Sequence, residues 1–288
     1  MLTRFLIRMV GILFTCAVGF VFPSPACSES SASEHMKLEL VSEQDAIVPG
    51  QQLWMGIRFD LQDGWHTYWM NPGDSGEAPR IEWQLPAGFR AGTIQWPFPA
   101  RLCTPPLVDY GYEHQVLLIT AVQVPSRWKE AEIETITARV CYLVCREVCI
   151  PGEERLRLTL AVRGRAANSP SGHMFDVTRQ RLPQRAPGNW KISVASLANE
   201  FALKLRAEKL LGSVQFFPVN EEQIENAALQ RTSSIPGGVR LHLLKSKHLL
   251  KPVSHLEGIL VGGSAKAYLV DVPVSNDSGT NQGRSRKN

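Results

Sequence analysis

Leu53, Met55, Ile57 and Phe59 are apolar, and Trp54, Gly56, Arg58 and Asp60 fall between them. Alternation with a period of two buries one face of an extended segment and wets the other, which a helix cannot do with this spacing. Further extended patterns occur at 37–41, 65–70, 81–85, 116–124, 133–144 and 156–162. They return after Trp190 at 191–195, 201–207, 214–217, 239–244, 256–261 and 267–272. Turn-forming residues separate them, as at Asp63-Gly64, Asn71-Pro72-Gly73-Asp74-Ser75-Gly76 and Pro86-Ala87-Gly88. Many short strands with few helical patterns predict an all-β chain of the sandwich type. Only 174–182 and 221–229 carry short helical signals.

A chain of 288 residues is comfortable for two such domains. The expected division is a first sandwich over 37–163, a linker over 164–189, a second sandwich over 190–274 and a disordered tail over 275–288. The linker assignment rests on Gly, Ala, Asn and Ser with three prolines. Residues 27–36 are Ser-rich and read as a flexible leader. Pro97, Pro99, Pro105 and Pro106 make 97–109 a proline-stiffened loop, because proline has no N–H for a central ladder.

The first 26 residues set the expected compartment. Arg4 and Arg8 precede an apolar run from Val10 to Phe22, and Ser24-Pro25-Ala26 supplies small residues for cleavage. This is the pattern of a signal peptide, and the run is short of the ~20 apolar residues that a spanning helix needs. The expectation is a soluble periplasmic protein. Counting 31 Lys and Arg, less Arg4 and Arg8, against 27 Asp and Glu leaves a net charge of only about +2. With no basic stripe interleaved with aromatics, nucleic acid is not an expected partner.

Five cysteines remain past the leader: Cys27, Cys103, Cys141, Cys145 and Cys149. An oxidising compartment permits disulfides, and an odd count leaves at least one thiol over. Cys145 and Cys149 enclose Arg146-Glu147-Val148. Across a hairpin with that loop their Cα atoms would lie ~4.5–5.5 Å apart, within disulfide range. Cys141 and Cys145 fall in one predicted strand, roughly 13 Å apart at ~3.3 Å per residue, and cannot bridge. Cys103 is then the remaining partner for Cys141 within the domain.

Three uses of the 145–149 pair compete. A structural staple is ordinary in an exported β-domain, but a five-residue ring removes little unfolded-state entropy. An exposed short-loop disulfide suits thiol–disulfide exchange. Cys141, Cys145 and Cys149 with His66 or His114 are a third option as a metal site, although no CxxC pair or histidine cluster reinforces it. Arg146, between the two cysteines, is either a thiolate-favouring cation or a solvated turn residue.

Several motifs together resemble the periplasmic N-terminal region of the DsbD thiol:disulfide interchange family, in particular its ScsB branch, linked to suppression of copper sensitivity. They are Asp63-Gly64-Trp65-His66-Thr67-Tyr68-Trp69, the Asn71–Gly76 segment, Trp96-Pro97, Tyr110-Gly111-Tyr112-Glu113 and Leu143-Val144-Cys145-x-x-x-Cys149-Ile150-Pro151. The resemblance covers 37–162 well and, through Phe216-Phe217-Pro218 and Leu256-Glu257-Gly258, the second half more weakly. It implies an immunoglobulin-like fold for the sandwich domains, with Cys145 and Cys149 as the catalytic pair on a hairpin. It implies a cap loop matching about 101–110, with His66 and Tyr68 near the thiols as accessory residues. Where the better-known branch has an aromatic cap residue, this sequence has Asp109, and Cys103 lies in the same loop. With Cys141, these are further accessory candidates.

The implied activity is that of a protein-disulfide reductase component, with no cofactor and no metal. The implied partners are an integral-membrane electron-transfer protein of the DsbD/ScsB type and periplasmic thioredoxin-fold proteins, in settings such as copper tolerance or cytochrome c biogenesis. The sequence shows neither a multi-helix membrane region nor a thioredoxin domain, so the membrane donor is expected on another polypeptide. The rival expectation is a non-catalytic copper-handling or adaptor domain with a structural disulfide.

Overall fold

A computed structural model describes residues 27–28, 30–32, 34–127, 132–207, 213–263 and 265–276. The expected signal peptide (1–26) and most of the expected tail (277–288) lie outside the described residues.

The described residues are all-β apart from one helix and form two sandwich-like units. In the first, a five-stranded sheet contains Met36–Ser42, Gln52–Leu61, Gln115–Gln123 and Arg90–Gln95. It faces an eight-stranded sheet whose centre is the hairpin Ile133–Cys145/Cys149–Val162, the strand His66–Gly73 and the strand Leu107–Glu113. Leu53, Met55, Ile57 and Phe59 are all buried between the sheets. From the opposing sheet, Ile136, Ala138, Val140, Tyr142 and Val144 enter the same core. Cys141, Leu143 and Cys145 therefore alternate onto the outer face of that sheet, as the pleat requires.

The segment expected to be a linker carries the helix Gly172–Arg181, which docks on the back of the five-stranded sheet. Phe175 is fully buried against Val41, Leu117 and Ile119. Gly56 makes room for it: a Cβ there would lie 2.7 Å from Leu117 Cδ1 and 3.4 Å from Phe175 Cζ. Arg179 completes the docking with a two-pronged bond to Glu43 (2.6 and 2.7 Å) and by lying over the Trp54 ring.

In the second unit, Lys266–Asn276 serves both sheets. Its first part pairs with His255–Gly262, and Val274, Ser275 and Asn276 pair in parallel with Val194, Ala195 and Ser196. The expected tail thus begins with two residues still in a sheet. Phe201, Leu203, Leu205, Leu241, Leu243, Leu256 and Leu260 fill this unit's own core. Phe217, Ile259 and Ala267 instead join the core of the first unit. Phe217 makes edge-on contacts with Trp69 and Tyr110 at centroid distances of 6.4 and 5.1 Å.

Three expectations are corrected. Residues 97–109 are not one long loop: Ala100–Thr104 and Leu107–Glu113 form an edge hairpin. Pro105 and Pro106 sit in its turn, where no ladder N–H is needed. The Ser-rich leader is not free backbone, since Cys27–Ser28 pairs with Cys149–Val162 and Ser30–Ala32 pairs with Met36–Ser42. Residues 221–229 form turns rather than a helix, with buried Ile224 bridged to Lys245.

Candidate functional site

Cys145 and Cys149 are directly opposed at the tip of the long hairpin, with Cα atoms 4.1 Å apart, and are joined as a disulfide. The three residues between them close a tight turn in which Arg146 N–H donates to the Val148 carbonyl at 3.1 Å. The two sulfurs have different surroundings. Cys145 is 2 % exposed, whereas Cys149 belongs to the exposed stretch that also holds Val148 and Ile150. Cys149 is therefore the more accessible half of the pair, and Cys145 the enclosed half.

The strand His66–Gly73 lines the buried side. Cys145 pairs with His66 in the ladder, and Tyr68 follows two residues on, so both side chains lie on the outer face with the disulfide. The Tyr68 hydroxyl donates to Cys145 Sγ at 2.9 Å and lies 3.6 Å from Cys149 Sγ. Burial and the Asp109 carboxylate push the Tyr68 phenol up to about 12, opposed by a bond from the Ser75 side chain. Tyr68 thus keeps its proton, and remains a donor, throughout the neutral range. The His66 ring stands edge-on to Tyr68, with centroids 5.3 Å apart. Desolvation holds its pKa below the ordinary value, against the pull of Asp109 and Glu113. A neutral imidazole does not supply a cation to a thiolate.

The ring of Tyr68 is fully buried under the Asn71–Gly76 segment. Gly76 has φ +85°, and a Cβ on it would fall 2.1 Å from Tyr68 Cζ, the carbon that bears the hydroxyl. Only glycine permits both the backbone angle and the contact. Asp109 fixes the preceding residue: its carboxylate accepts from Ser75 N–H at 2.8 Å and from the Ser75 hydroxyl at 2.9 and 3.0 Å. Burial raises the Asp109 pKa, and the Ser75 bonds oppose that rise.

The expected site residues therefore divide. Cys145, Cys149, His66 and Tyr68 come together, and Asp109 reaches them by its charge on His66 and Tyr68 and by its bonds to Ser75. The segment expected as a cap, 101–110, lies in the two strands and the turn of the edge hairpin, and the Asn71–Gly76 segment packs on Tyr68. Cys103 and Cys141 are both free, which removes the bridge considered between them. Two strands separate theirs in the sheet, so three spacings of ~4.8 Å alone put them at least about 14 Å apart, against a disulfide limit of ~7 Å. Arg146 bonds Glu147 at 2.9 Å and lies over the Trp65 ring, so its charge is already engaged. Among the described residues, no group of three His, Cys, Asp or Glu side chains is arranged to hold a metal ion.

The sequence reading missed the parts played by Ser75, Gly76 and Asn226. The first two lay in a segment read as a turn and as a family motif, with no part assigned to either residue; Asn226 carried no local signal.

Residues 37–161 match the family model described as the N-terminal part of the thiol:disulfide interchange protein DsbD. Among solved structures, the chain is similar to the N-terminal periplasmic domain of ScsB from Proteus mirabilis. The TM-score is 0.65 at 14% identity, over 84% of this chain and 94% of that chain. At that identity the likeness is one of fold. No curated protein matches the sequence.

Proposed function

Residues 37–161 form a DsbD N-terminal-like domain, and from that premise we propose that this chain is a periplasmic thiol–disulfide interchange module. It takes reducing equivalents from a membrane electron-transfer protein and gives them to periplasmic thioredoxin-fold proteins. The observation that carries the reading is the asymmetry of the pair: Cys149 is exposed, while Cys145 is buried with the Tyr68 hydroxyl 2.9 Å from its sulfur.

In the reducing half-reaction the donor's thiolate attacks Cys149 Sγ. The Cys145–Cys149 bond breaks, the donor–Cys149 bond forms, and Cys145 leaves as a thiolate that accepts the Tyr68 hydrogen bond. The donor's second thiolate then attacks its own sulfur in the mixed disulfide and releases Cys149 as a thiolate. The donor is oxidised, and the Cys145–Cys149 pair, reduced by two electrons, takes two protons from solvent to become the dithiol. In the second half-reaction the Cys149 thiolate attacks a substrate disulfide and Cys145 resolves the mixed disulfide. A hydrogen bond to a charged sulfur is worth roughly 1.5–3 kcal/mol, more than one to a neutral group. It therefore favours the state in which Cys145 carries charge.

The test is to trap the intermediate. In Cys145→Ser the resolving thiol is gone, and Cys149 should accumulate mixed disulfides with thioredoxin-fold proteins from a periplasmic extract. Cys149→Ser should trap far less, because Cys145 is enclosed. Absence of adducts from both variants would favour the rival, a fixed staple in an adaptor or copper-handling domain.

A further inference from the structure

We infer that Asn226, in the second sandwich, is a positioning residue for the Cys145–Cys149 pair, acting through the Asn71–Gly76 segment and Tyr68. The inference rests on reading the pair as an exchanging one.

Asn226 lies between the strands Val214–Pro218 and Arg231–Ile235 and is 6 % exposed. Its Nδ2 donates to Asp74 Oδ1 at 2.9 Å, its Oδ1 accepts from the Tyr110 hydroxyl at 2.9 Å, and its carbonyl accepts from Arg101 Nη2. An amide suits this place because it donates to a carboxylate with one arm and accepts from a phenol with the other. Asp74 is thereby held from two sides, since its Oδ2 also accepts from Val108 N–H at 2.8 Å. The next residue, Ser75, is fixed by Asp109, and the one after it, Gly76, packs on the phenolic carbon of Tyr68. Tyr68 in turn reaches Cys145.

A second hold acts on the same segment. Asn71 Nδ2 donates to the carbonyls of Pro218 (2.8 Å) and Asn220 (3.3 Å), both in the second unit. The second sandwich therefore grips, at two points, the segment that sets where the Tyr68 hydroxyl lies. None of these bonds touches sulfur.

The sign of the effect separates positioning from mere shielding. Cys149 is already open to attack, so loosening the segment adds little access. What it removes is the alignment of the Tyr68 hydroxyl with the departing Cys145 thiolate. Asn226→Ala in the full chain should slow reduction of the disulfide by dithiothreitol, by roughly the tenfold expected when one hydrogen bond to a charged group is lost. It should also raise the Cys145 pKa in the reduced protein. In a Tyr68→Phe background the same substitution should change the rate by less than about twofold, because the two act through one contact. Tyr110→Phe, which removes only the hydroxyl that bonds Asn226, should slow reduction in the same direction by less, and it decides the matter if Asn226→Ala does not fold. Faster or unchanged reduction, or a full effect in the Tyr68→Phe background, would overturn the inference. If the disulfide of the unsubstituted chain resisted dithiothreitol altogether, the exchange reading itself would fall, a different outcome from an unsubstituted protein that exchanges and variants that match it.

Discussion

The Tyr68 hydroxyl lies 2.9 Å from Cys145 Sγ, and Tyr68 and Cys145 are buried while Cys149 is exposed. In the proposed exchange, Cys149 is thus the sulfur that is attacked and Cys145 the one that leaves. Replacing Tyr68 by Phe keeps the ring and removes the donor. Reduction by dithiothreitol should slow about tenfold or more, and the potential should become more negative by about 30 mV for each tenfold shift in equilibrium. Stopped-flow kinetics and redox titration check both. Because the phenol titrates near 12, the unsubstituted protein should show no step in rate from Tyr68 between pH 6 and 9.

Gly76→Ala strains the backbone at φ +85° and drives a methyl group into Tyr68. The expected loss is about 2–4 kcal/mol, from left-handed strain together with overpacking. Urea denaturation should show it, along with slower reduction in the fraction that folds.

His66 gives a pH signature. Burial holds its folded pKa below the ordinary value of 6.5. As pH falls through 6.5, the unfolded chain takes up the proton before the folded one. Stability is therefore present above 6.5 and is lost as pH drops towards the lowered folded value. Asp109, with a raised pKa, has the opposite slope in the carboxylate range. The difference between the unsubstituted protein and His66→Phe, in denaturation midpoints at pH 7.5 and 5.5, isolates the histidine. The unsubstituted chain should lose more stability across that interval.

Phe175→Ala tests whether the helix between the two units belongs to the first. Emptying a fully buried aromatic site should cost about 3–5 kcal/mol. The reduction rate of Cys145–Cys149 should stay within twofold, since the helix lies on the other sheet.

The sequence made the hairpin and its cysteine pair legible because both follow from local rules. Alternation over Ile133–Cys145 and a three-residue turn leave Cys145 opposite Cys149, and strand geometry keeps Cys141 away. The same alternation placed Leu53, Met55, Ile57 and Phe59 in the core. What was not legible came in two kinds. Arg231–Ile235 is a mostly exposed edge strand of Arg, Thr, Ser and Ile, with no buried face to impose a period. The bonds from Ser75 to Asp109 and from Tyr110 to Asn226 join residues 34 and 116 positions apart, and no local pattern records such pairs. Asp109 stood out against a family pattern, but its role depends on a partner that only the folded chain brings to it.

The most direct test of the account is the reduction potential of the Cys145–Cys149 pair, measured on the full chain in dithiothreitol and glutathione redox buffers with thiol alkylation as the readout. An exchanging pair should equilibrate reversibly with a midpoint less negative than about −300 mV. A disulfide that stays intact below about −300 mV, or that fails to equilibrate with either buffer, would be a staple and would contradict the account.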